Sequence, residues 1–246
     1  MTSESTDVSS GGFGFFDDYA EKVYKLQPEL YDEIRRIIDG KFRLFAREFG
    51  RKPVVLDIGG AGLIPFDPLL VDRMDILDLF EKPRQLRLPE NCRWIVGDVL
   101  VRSSMDSLGL RYDFVLMFSL LHHLCGPKND IRNNLLACFE NARSVLDRDH
   151  GSLAIVESTC SGGIALLEDA LYPFYSRILR RVFGFTYVRM VSKAEITSAF
   201  EHAGLRCIEE QFRQPRYIAQ MFWRVPLWIY PLRVSFFSAS VPAMSG

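Results

Sequence analysis

An apolar strand that ends in an acid and a glycine cluster is the segment of this chain best suited to bind a ligand. Residues 53–58 read P-V-V-L-D-I, with the acid at Asp57, and glycine follows at Gly59, Gly60 and Gly62. Glycine allows a tight turn and a close approach of the backbone, and a helix after such a turn offers unpaired N–H groups. Open α/β sheets bind nucleotides at this point. The segment therefore predicts a nucleotide-containing cofactor, with a helix after the glycines.

Two classes of cofactor bind at glycine-rich turns, dinucleotides and S-adenosylmethionine, and the order of residues separates them. A dinucleotide fingerprint reads G-x-G-x-x-G or G-x-G-x-x-A, because a small last residue lets helix and strand pack closely. Counted from Gly60 the last position is Pro65, and counted from Gly59 it is Ile64. Neither register fits a dinucleotide.

The run V-L-D-I-G-G-A-G at residues 55–62 resembles motif I of the class I S-adenosylmethionine-dependent methyltransferases. That family usually spells the motif D-x-G-x-G-x-G, whereas here the second and third glycine positions hold Ala61 and Leu63. Leu63 predicts a loop that is wider or shorter than usual. The resemblance implies S-adenosylmethionine as the cofactor and S-adenosylhomocysteine as the product. It implies cofactor contacts from Asp57, Gly59, Gly60, Ala61 and Gly62.

Two further strands end in acids, in the order that the same family shows. The resemblance implies that Asp78, at the end of the second strand, accepts hydrogen bonds from both ribose hydroxyls, a task suited to a carboxylate. It places Asp98, after the third strand, against the adenine amino group. The alternative is a solvated aspartate at a strand end for Asp78 and a plain Gly-Asp turn for Asp98. The remaining implied cofactor contacts are Leu79, Val99, Ser119 and Tyr24.

Two histidines follow the fourth strand, a continuous apolar run at residues 112–118. The sequence L-H-H there resembles the one found in many small-molecule methyltransferases. Since an imidazole titrates near neutrality, His123 and His122 are the candidate general bases, and Glu157 at the end of the fifth strand is the second choice. Two alternatives stay open: His122 lies in the loop and is held by backbone carbonyls, or catalysis needs only positioning and no base.

Strands and helices alternate along the chain, which predicts a parallel sheet with helices on both faces. Apolar spacing indicates a helix at residues 131–146, and a capping box at Ser192 and Glu195 begins another that ends near Gly204. The proline-containing stretch 221–231 is expected to be a loop. Strands are also expected at residues 152–157, 205–212 and 232–238.

The predicted fold class is therefore α/β, a Rossmann-like, doubly wound, mostly parallel seven-stranded sheet. The resemblance adds an antiparallel last strand, an N-terminal helical lid and an insertion after strand five. Residues 1–12 are expected to form a disordered tail, and residues 13–246 a single methyltransferase domain.

Two segments are expected to cover the site. Residues 13–50 are the predicted lid, because residues 16–24 resemble the F-D-x-x-A-x-x-Y leader of the family, although the tyrosine comes one residue late. The resemblance places Tyr19 against the substrate and Tyr24 against the cofactor. Packing in the core is the alternative for such aromatic residues.

Residues 160–191 are the predicted substrate-covering insertion, in which aromatic residues alternate with arginines. Aromatic rings form apolar walls and guanidinium groups bind anions, which favours a bulky and partly lipophilic acceptor. An amphipathic helix with solvated arginines is one alternative, and docking on a membrane surface is another that we favour less. The predicted substrate contacts here are Tyr172, Tyr175 and Arg177.

Composition excludes several classes of function. Lys and Arg number 30 and Asp and Glu 31, so the formal net charge is −1 and no basic surface favours nucleic acid. The five cysteines show no C-x-x-C spacing, which predicts reduced thiols in a cytoplasmic protein and no metal site. The first residues lack the features of a signal peptide, and no apolar stretch is long enough to span a membrane.

The sequence therefore predicts an enzyme that transfers methyl groups from S-adenosylmethionine to a small molecule, with oxygen as the favoured acceptor atom. One alternative is a catalytically silent protein of the same fold with a binding or regulatory role, supported by the irregular glycine loop. The other is a nicotinamide-dependent oxidoreductase, which Pro65 and the absence of a Tyr-x-x-x-Lys pair disfavour. The acceptor, the pathway and the oligomeric state stay open.

Overall fold

A computed structural model describes residues 25–124, 130–171, 189–220, 223–226 and 232–242. The strands are β1 (Val54–Ile58), β2 (Arg73–Asp78), β3 (Cys92–Val96), β4 (Phe114–Phe118), β5 (Ser152–Cys160), β6 (Val191–Ser192), β7 (Arg206–Glu210), β8 (Tyr217–Gln220), β9 (Trp223–Pro226) and β10 (Leu232–Ser240). The helices are α1 (Pro28–Phe49), α2 (Arg102–Asp106), α3 (Ile131–Val145), α4 (residues 162–171) and α5 (Lys193–His202). Within this part of the chain, no helix is both long and apolar enough for a bilayer crossing.

The main sheet has the strand order β3-β2-β1-β4-β5-β10-β7, and the two-residue strand β6 pairs with β5. Strands β1 to β5 run parallel, whereas β10 is antiparallel to both of its neighbours. This arrangement confirms the predicted Rossmann-like sheet with its antiparallel last strand. The short β6 is an addition that the sequence did not predict.

The stretch expected to be a loop before the last strand contains a hairpin instead. Strands β8 and β9 pair antiparallel, from Tyr217 opposite Pro226 to Gln220 opposite Trp223. Pro226 occupies the end of its strand, where the missing N–H costs least. The proline therefore does not prevent the strand.

Helix α1 is a layer of the core. Proline occupies its first turn, and it ends at Gly50, whose φ of 66° is left-handed. One face of the helix is buried, and Phe42 meets the rings of Phe66 and Phe114 edge-on at 5.2 and 5.1 Å. Residues 28–49 of the predicted lid at residues 13–50 thus form a helix, as expected, and one face of it packs against the sheet. Residues 13–24 lie outside the described residues.

Helices α3 and α5 cover the opposite face of the sheet. Phe139 of α3 and Phe200 of α5 are fully buried and stack with ring centroids 4.2 Å apart. Alternate residues of the central strands pack toward the two faces, so that Val115 of β4 faces these helices and Leu116 faces α1. Burial on both faces explains why β1 and β4 read as continuous apolar runs.

The packing of α1 predicts unequal effects of two substitutions on the same helix. Phe42→Ala should lower the free energy of unfolding by about 3–5 kcal/mol, because it empties a fully buried site between aromatic rings. Leu44→Ala is the matched control, since Leu44 is 52% exposed, and it should change stability by less than about 0.5 kcal/mol. Urea denaturation measures both. Equal small effects would show that α1 is not part of the core.

Candidate functional site

The predicted site residues meet at one edge of the sheet. The register pairs β1 with β2 and β4, and β4 with β5, all in parallel, so the carboxyl ends of these four strands lie side by side. Asp57 and Asp78 come from β1 and β2, the two histidines follow β4, and Glu157 lies in β5. This is the edge at which open α/β sheets hold ligands.

Asp57 has a buried carboxylate without a hydrogen bond. The residue is 1% exposed, and neither Oδ1 nor Oδ2 has a hydrogen-bond partner in the described part of the chain. Buried charged groups are normally paired, since an unpaired one costs several kcal/mol. An orphaned carboxylate at a ligand-binding edge indicates that its partner belongs to a ligand.

The glycines bring the backbone close to Asp57 and to the loop after β4. A Cβ atom at Gly60 would lie 1.9 Å from Oδ2 of Asp57, so the carboxylate occupies the space of a side chain at this position. A Cβ atom at Gly59 would lie 2.5 Å from Cδ1 of Leu120, and the φ of Gly59 is 70°. Positions 59 and 60 therefore require glycine.

Backbone strain concentrates at the same edge. Among the described residues other than glycine, Ala61 and Ser119 have positive φ, 48° and 51°. Such conformations cost about 1–3 kcal/mol each and cluster at ligand sites. Ser119 is fixed by its N–H, which donates to the carbonyl of Val156 at 2.8 Å. Both strained residues belong to the predicted cofactor contacts.

The helix expected directly after the glycines is not formed. Residues 59–67 are irregular, and only a 3₁₀ turn, Pro68–Leu70, precedes β2. Pro65 and Pro68 interrupt this stretch, and proline also disfavours helical backbone at the residue before it. The side chain of Asp67 accepts from the N–H of Leu69 at 3.0 Å. This corrected segment offers no α-helix N-terminus to a phosphate group.

The two acids beside the glycine loop both have raised pKa values. Burial raises the pKa of Asp57 to about 8, and the charge of Asp78 adds to the effect. Burial also raises the pKa of Asp78, and hydrogen bonds from the backbone of Phe80, Ala61 and Leu79 only partly oppose it. At both positions burial disfavours the charged carboxylate, and a bound positive group or additional hydrogen-bond donors would favour it.

Asp78 is tied to the neighbouring loops. It is half-buried at the last position of β2, and its Oδ1 accepts from the N–H of Phe80 at 3.0 Å. The side chain of Leu79 beside it is 60% exposed. An exposed leucine next to a half-buried acid is a suitable wall for a flat, partly apolar ligand.

Asp98 and Val99 have structural tasks. Asp98 accepts from the N–H of Leu100 at 2.8 Å and so stabilises its own turn. Val99 is buried in the core, and its carbonyl accepts from Nδ2 of Asn141 at 2.7 Å. The side chain of Val99 is therefore committed to the core, and Asp98 keeps one carboxylate oxygen for other contacts.

Glu157 and His122 form a pair. Glu157 is fully buried, and its Oε1 lies 2.9 Å from Nδ1 of His122. The same carboxylate accepts from the N–H groups of Leu121 at 2.7 Å and Ser158 at 2.9 Å. His122 is thus held by a carboxylate, which corrects the alternative in which backbone carbonyls hold it.

His123 differs from its neighbour. It is exposed, its ring centroid lies 4.1 Å from that of His122, and no carboxylate pairs with it in the described residues. The protein around it and the adjacent His122 lower the pKa of His123 to about 3. With this pKa the imidazole stays neutral at physiological pH.

Arg189 is a site neighbour that the sequence did not single out. Its side chain, 5% exposed, bonds both oxygens of Asp169 at 2.7 and 2.9 Å and one oxygen of Glu195 at 2.9 Å. Its N–H donates to the carbonyl of His122 at 3.1 Å. No local pattern could have shown this cluster, because its members come from three separate segments. The other predicted contacts, Tyr19, Tyr24, Tyr172, Tyr175 and Arg177, lie outside the described residues.

Comparison with known proteins gives likenesses in structure. No protein-family model and no curated protein matches the chain. The YcgJ protein from Bacillus subtilis has a TM-score of 0.51 at 14% identity, over 81% of this chain and 97% of that one.

Two further likenesses are to proteins from Burkholderia thailandensis, both with a TM-score of 0.49. An O-methyltransferase family protein is 14% identical, over 86% of this chain and 59% of that one. A 1,6-didemethyltoxoflavin-N1-methyltransferase, solved with 1,6-didemethyltoxoflavin and S-adenosylhomocysteine, is 17% identical over 92% and 86%. At 14% identity, the likeness to YcgJ concerns the fold alone. It agrees with the Rossmann-like fold predicted from the sequence.

The pKa of Asp57 predicts how stability depends on pH. Between about pH 4 and pH 8 the folded protein holds a proton on Asp57 that the unfolded chain releases, so Asp57 lowers stability as pH rises through this window. Asp57→Asn should remove this loss, so that its free energy of unfolding falls less than that of the wild type between pH 4 and pH 8. Urea denaturation at several pH values, with the exposed Asp149→Asn as control, measures the difference. If the free energies of unfolding of the wild type and Asp57→Asn changed with pH in the same way, the raised pKa of Asp57 would be contradicted.

Proposed function

We propose that this chain is an S-adenosylmethionine-dependent methyltransferase that acts on a small molecule. The observation that carries the proposal is the orphaned carboxylate of Asp57, buried beneath Gly60 beside a second acid. The sequence supports it independently, because these residues form the run that resembles motif I of the class I methyltransferases.

The residues at this edge suit S-adenosylmethionine in charge. The molecule carries an ammonium group and a sulfonium, and two raised-pKa carboxylates are a favourable environment for positive charge. Asp57, with two oxygens that lack donors, would take the ammonium group, and Asp78 would accept from the ribose hydroxyls. The exposed Leu79 and the remaining oxygen of Asp98 would serve the adenine.

The same residues disfavour a dinucleotide. Its pyrophosphate is anionic and normally rests on a helix N-terminus after the glycine turn. Here a 3₁₀ turn takes the place of that helix, and Asp57 lies directly beneath the turn. A pyrophosphate would find repulsion where it needs N–H donors.

The chemistry divides between cofactor and protein. When bound, S-adenosylmethionine supplies an electrophilic methyl group whose bond breaks with the electron pair left on sulfur. The protein has to orient an acceptor lone pair and exclude water, which is catalysis by proximity. An oxygen or nitrogen acceptor also loses a proton, and the histidine turn after β4 offers the group that receives it.

We further propose oxygen as the acceptor atom and a bulky, partly lipophilic metabolite as the substrate. The support is the pair His122 and His123, since a hydroxyl benefits most from a base, and the aromatic and arginine-rich sequence of residues 160–191. A silent binding protein is the alternative, and it is favoured if the site retains no cofactor.

Titration calorimetry tests the proposal. We expect S-adenosylmethionine and S-adenosylhomocysteine to bind at micromolar concentrations and NAD not to bind. Asp78→Ala should weaken the binding of both compounds by about tenfold to a hundredfold, because it removes a charged acceptor of two hydrogen bonds. Asp149→Ala, an exposed acid of the turn that precedes β5, is the matched control and should bind as wild type does.

Two results would contradict the proposal. Absence of binding by both sulfur compounds would remove the cofactor and leave the silent protein as the better account. Tight binding of NAD would favour an oxidoreductase despite the irregular glycine loop.

A further inference from the structure

We propose that His122 is the base that receives the acceptor's proton and that Glu157 is the residue that positions it. This inference rests on the proposed function and deepens it, because the sequence alone left both histidines and Glu157 as candidate bases. It follows from the different surroundings of the two adjacent imidazoles.

The carboxylate of Glu157 fixes the tautomer of His122. A carboxylate oxygen only accepts hydrogen bonds, so the Nδ1 atom of His122 that lies 2.9 Å from Oε1 has to carry a proton. In the neutral ring the lone pair is then on Nε2. In the described part of the chain Nε2 has no hydrogen-bond partner, and the side chain is 16% exposed. His122 therefore presents a reachable lone pair.

Glu157 is suited to positioning and unsuited to acting as the base itself. It is fully buried, and its two oxygens already accept from His122, Leu121 and Ser158. A carboxylate with three donors is held in one orientation, and its oxygens are engaged with the protein. Its negative charge also stabilises the imidazolium that forms when His122 takes a proton.

The backbone holds His122 from the other side. The N–H of Arg189 donates to the carbonyl of His122 at 3.1 Å, and the Arg189 side chain is fixed by Asp169 and Glu195. The turn that carries the histidine is thus clamped between β5 and the segment that leads into β6. A base held in this way needs little reorganisation when the acceptor binds.

His123 lacks these supports. It has no carboxylate partner in the described residues, and its surroundings favour the neutral ring. It can donate or accept a hydrogen bond to an acceptor molecule, but no carboxylate of the described residues orients its ring. In the proposed step, the proton of the acceptor O–H or N–H moves to Nε2 of His122 and then to water, which restores the neutral imidazole.

Two measurements test this inference without knowledge of the acceptor. The chain has four histidines, so ¹⁵N NMR of protein labelled at histidine resolves the ring nitrogens, and His122→Gln and His123→Gln assign them. We expect neutral His122 to be the Nδ1–H tautomer, the minor form of free histidine. Observation of the Nε2–H tautomer at His122 would overturn the inference.

The second measurement is carbethoxylation by diethyl pyrocarbonate, in which the imidazole lone pair attacks a carbonyl carbon of the reagent and ethyl carbonate leaves, with each site followed by peptide mass spectrometry. His122 should react about tenfold faster than His123, although His123 is the more exposed ring, because the carboxylate of Glu157 orients the ring of His122 and stabilises the positive charge that develops on it as Nε2 reacts. Faster reaction at His123 would show that exposure controls reactivity and would overturn the assignment.

Glu157→Gln tests the positioning role. It should reduce the reaction rate at His122 and the population of the Nδ1–H tautomer, while the exposed control His202 reacts as in wild type. Unchanged His122 in a folded variant would refute the role of Glu157. If the variant does not fold, the wild-type tautomer and rates decide alone.

Calorimetry separates the two proposals. Glu157→Gln should still bind S-adenosylhomocysteine, since Glu157 is not among the proposed cofactor contacts. If the wild-type protein binds S-adenosylhomocysteine but His122 is the Nε2–H tautomer, this inference is wrong and the proposed function stands. If the wild-type protein has the expected tautomer but does not bind S-adenosylhomocysteine, the proposed function fails, and His122 has no assigned role in methyl transfer.

Discussion

A buried carboxylate without a hydrogen-bond donor is the constraint on which this edge of the sheet depends. Asp57 occupies a central strand, its oxygens fill the space beneath Gly60, and Asp78 repels it. Burial without a donor favours the protonated form of this group, so Asp57 lowers the stability of the folded protein as the pH rises toward 8. A cation that binds only the folded protein would recover that energy. The unpaired Asp57 is thus a source of affinity and of selectivity for positive charge.

Asp57 and Glu157 show how differently one sheet edge treats two buried acids. Both lie near the ends of central strands, and both are almost completely shielded from water. Glu157 receives three donors from its own protein, whereas Asp57 receives none from the described chain. Glu157 therefore stabilises the histidine turn, whereas Asp57 is available to a ligand. This difference divides the edge into a cofactor side, near the glycines, and an acceptor side, near the histidine turn.

Much of the fold could be predicted because its signals are local. Strand β4 is a continuous apolar run, and α5 begins with a capping box in which Ser192 and Glu195 bond as expected. The packing partners of α1, Phe66 and Phe114, could not be predicted. A lid and a layer of the core share one amphipathic pattern, and only distant contacts distinguish them. The positioning contacts of Glu157 depend on the tertiary placement of backbone N–H groups. Likewise, no sequence pattern records that a carboxylate lacks a partner.

The most direct test of the central claim is a crystal structure of the protein with S-adenosylhomocysteine. The account predicts density for the ligand at the glycine loop, with its amino group within hydrogen-bond distance of the Asp57 carboxylate and its ribose hydroxyls at Asp78. Such a structure would supply the missing partner of Asp57. Density at another place, or a ligand at the loop with Asp57 still unpaired beneath Gly60, would contradict the account.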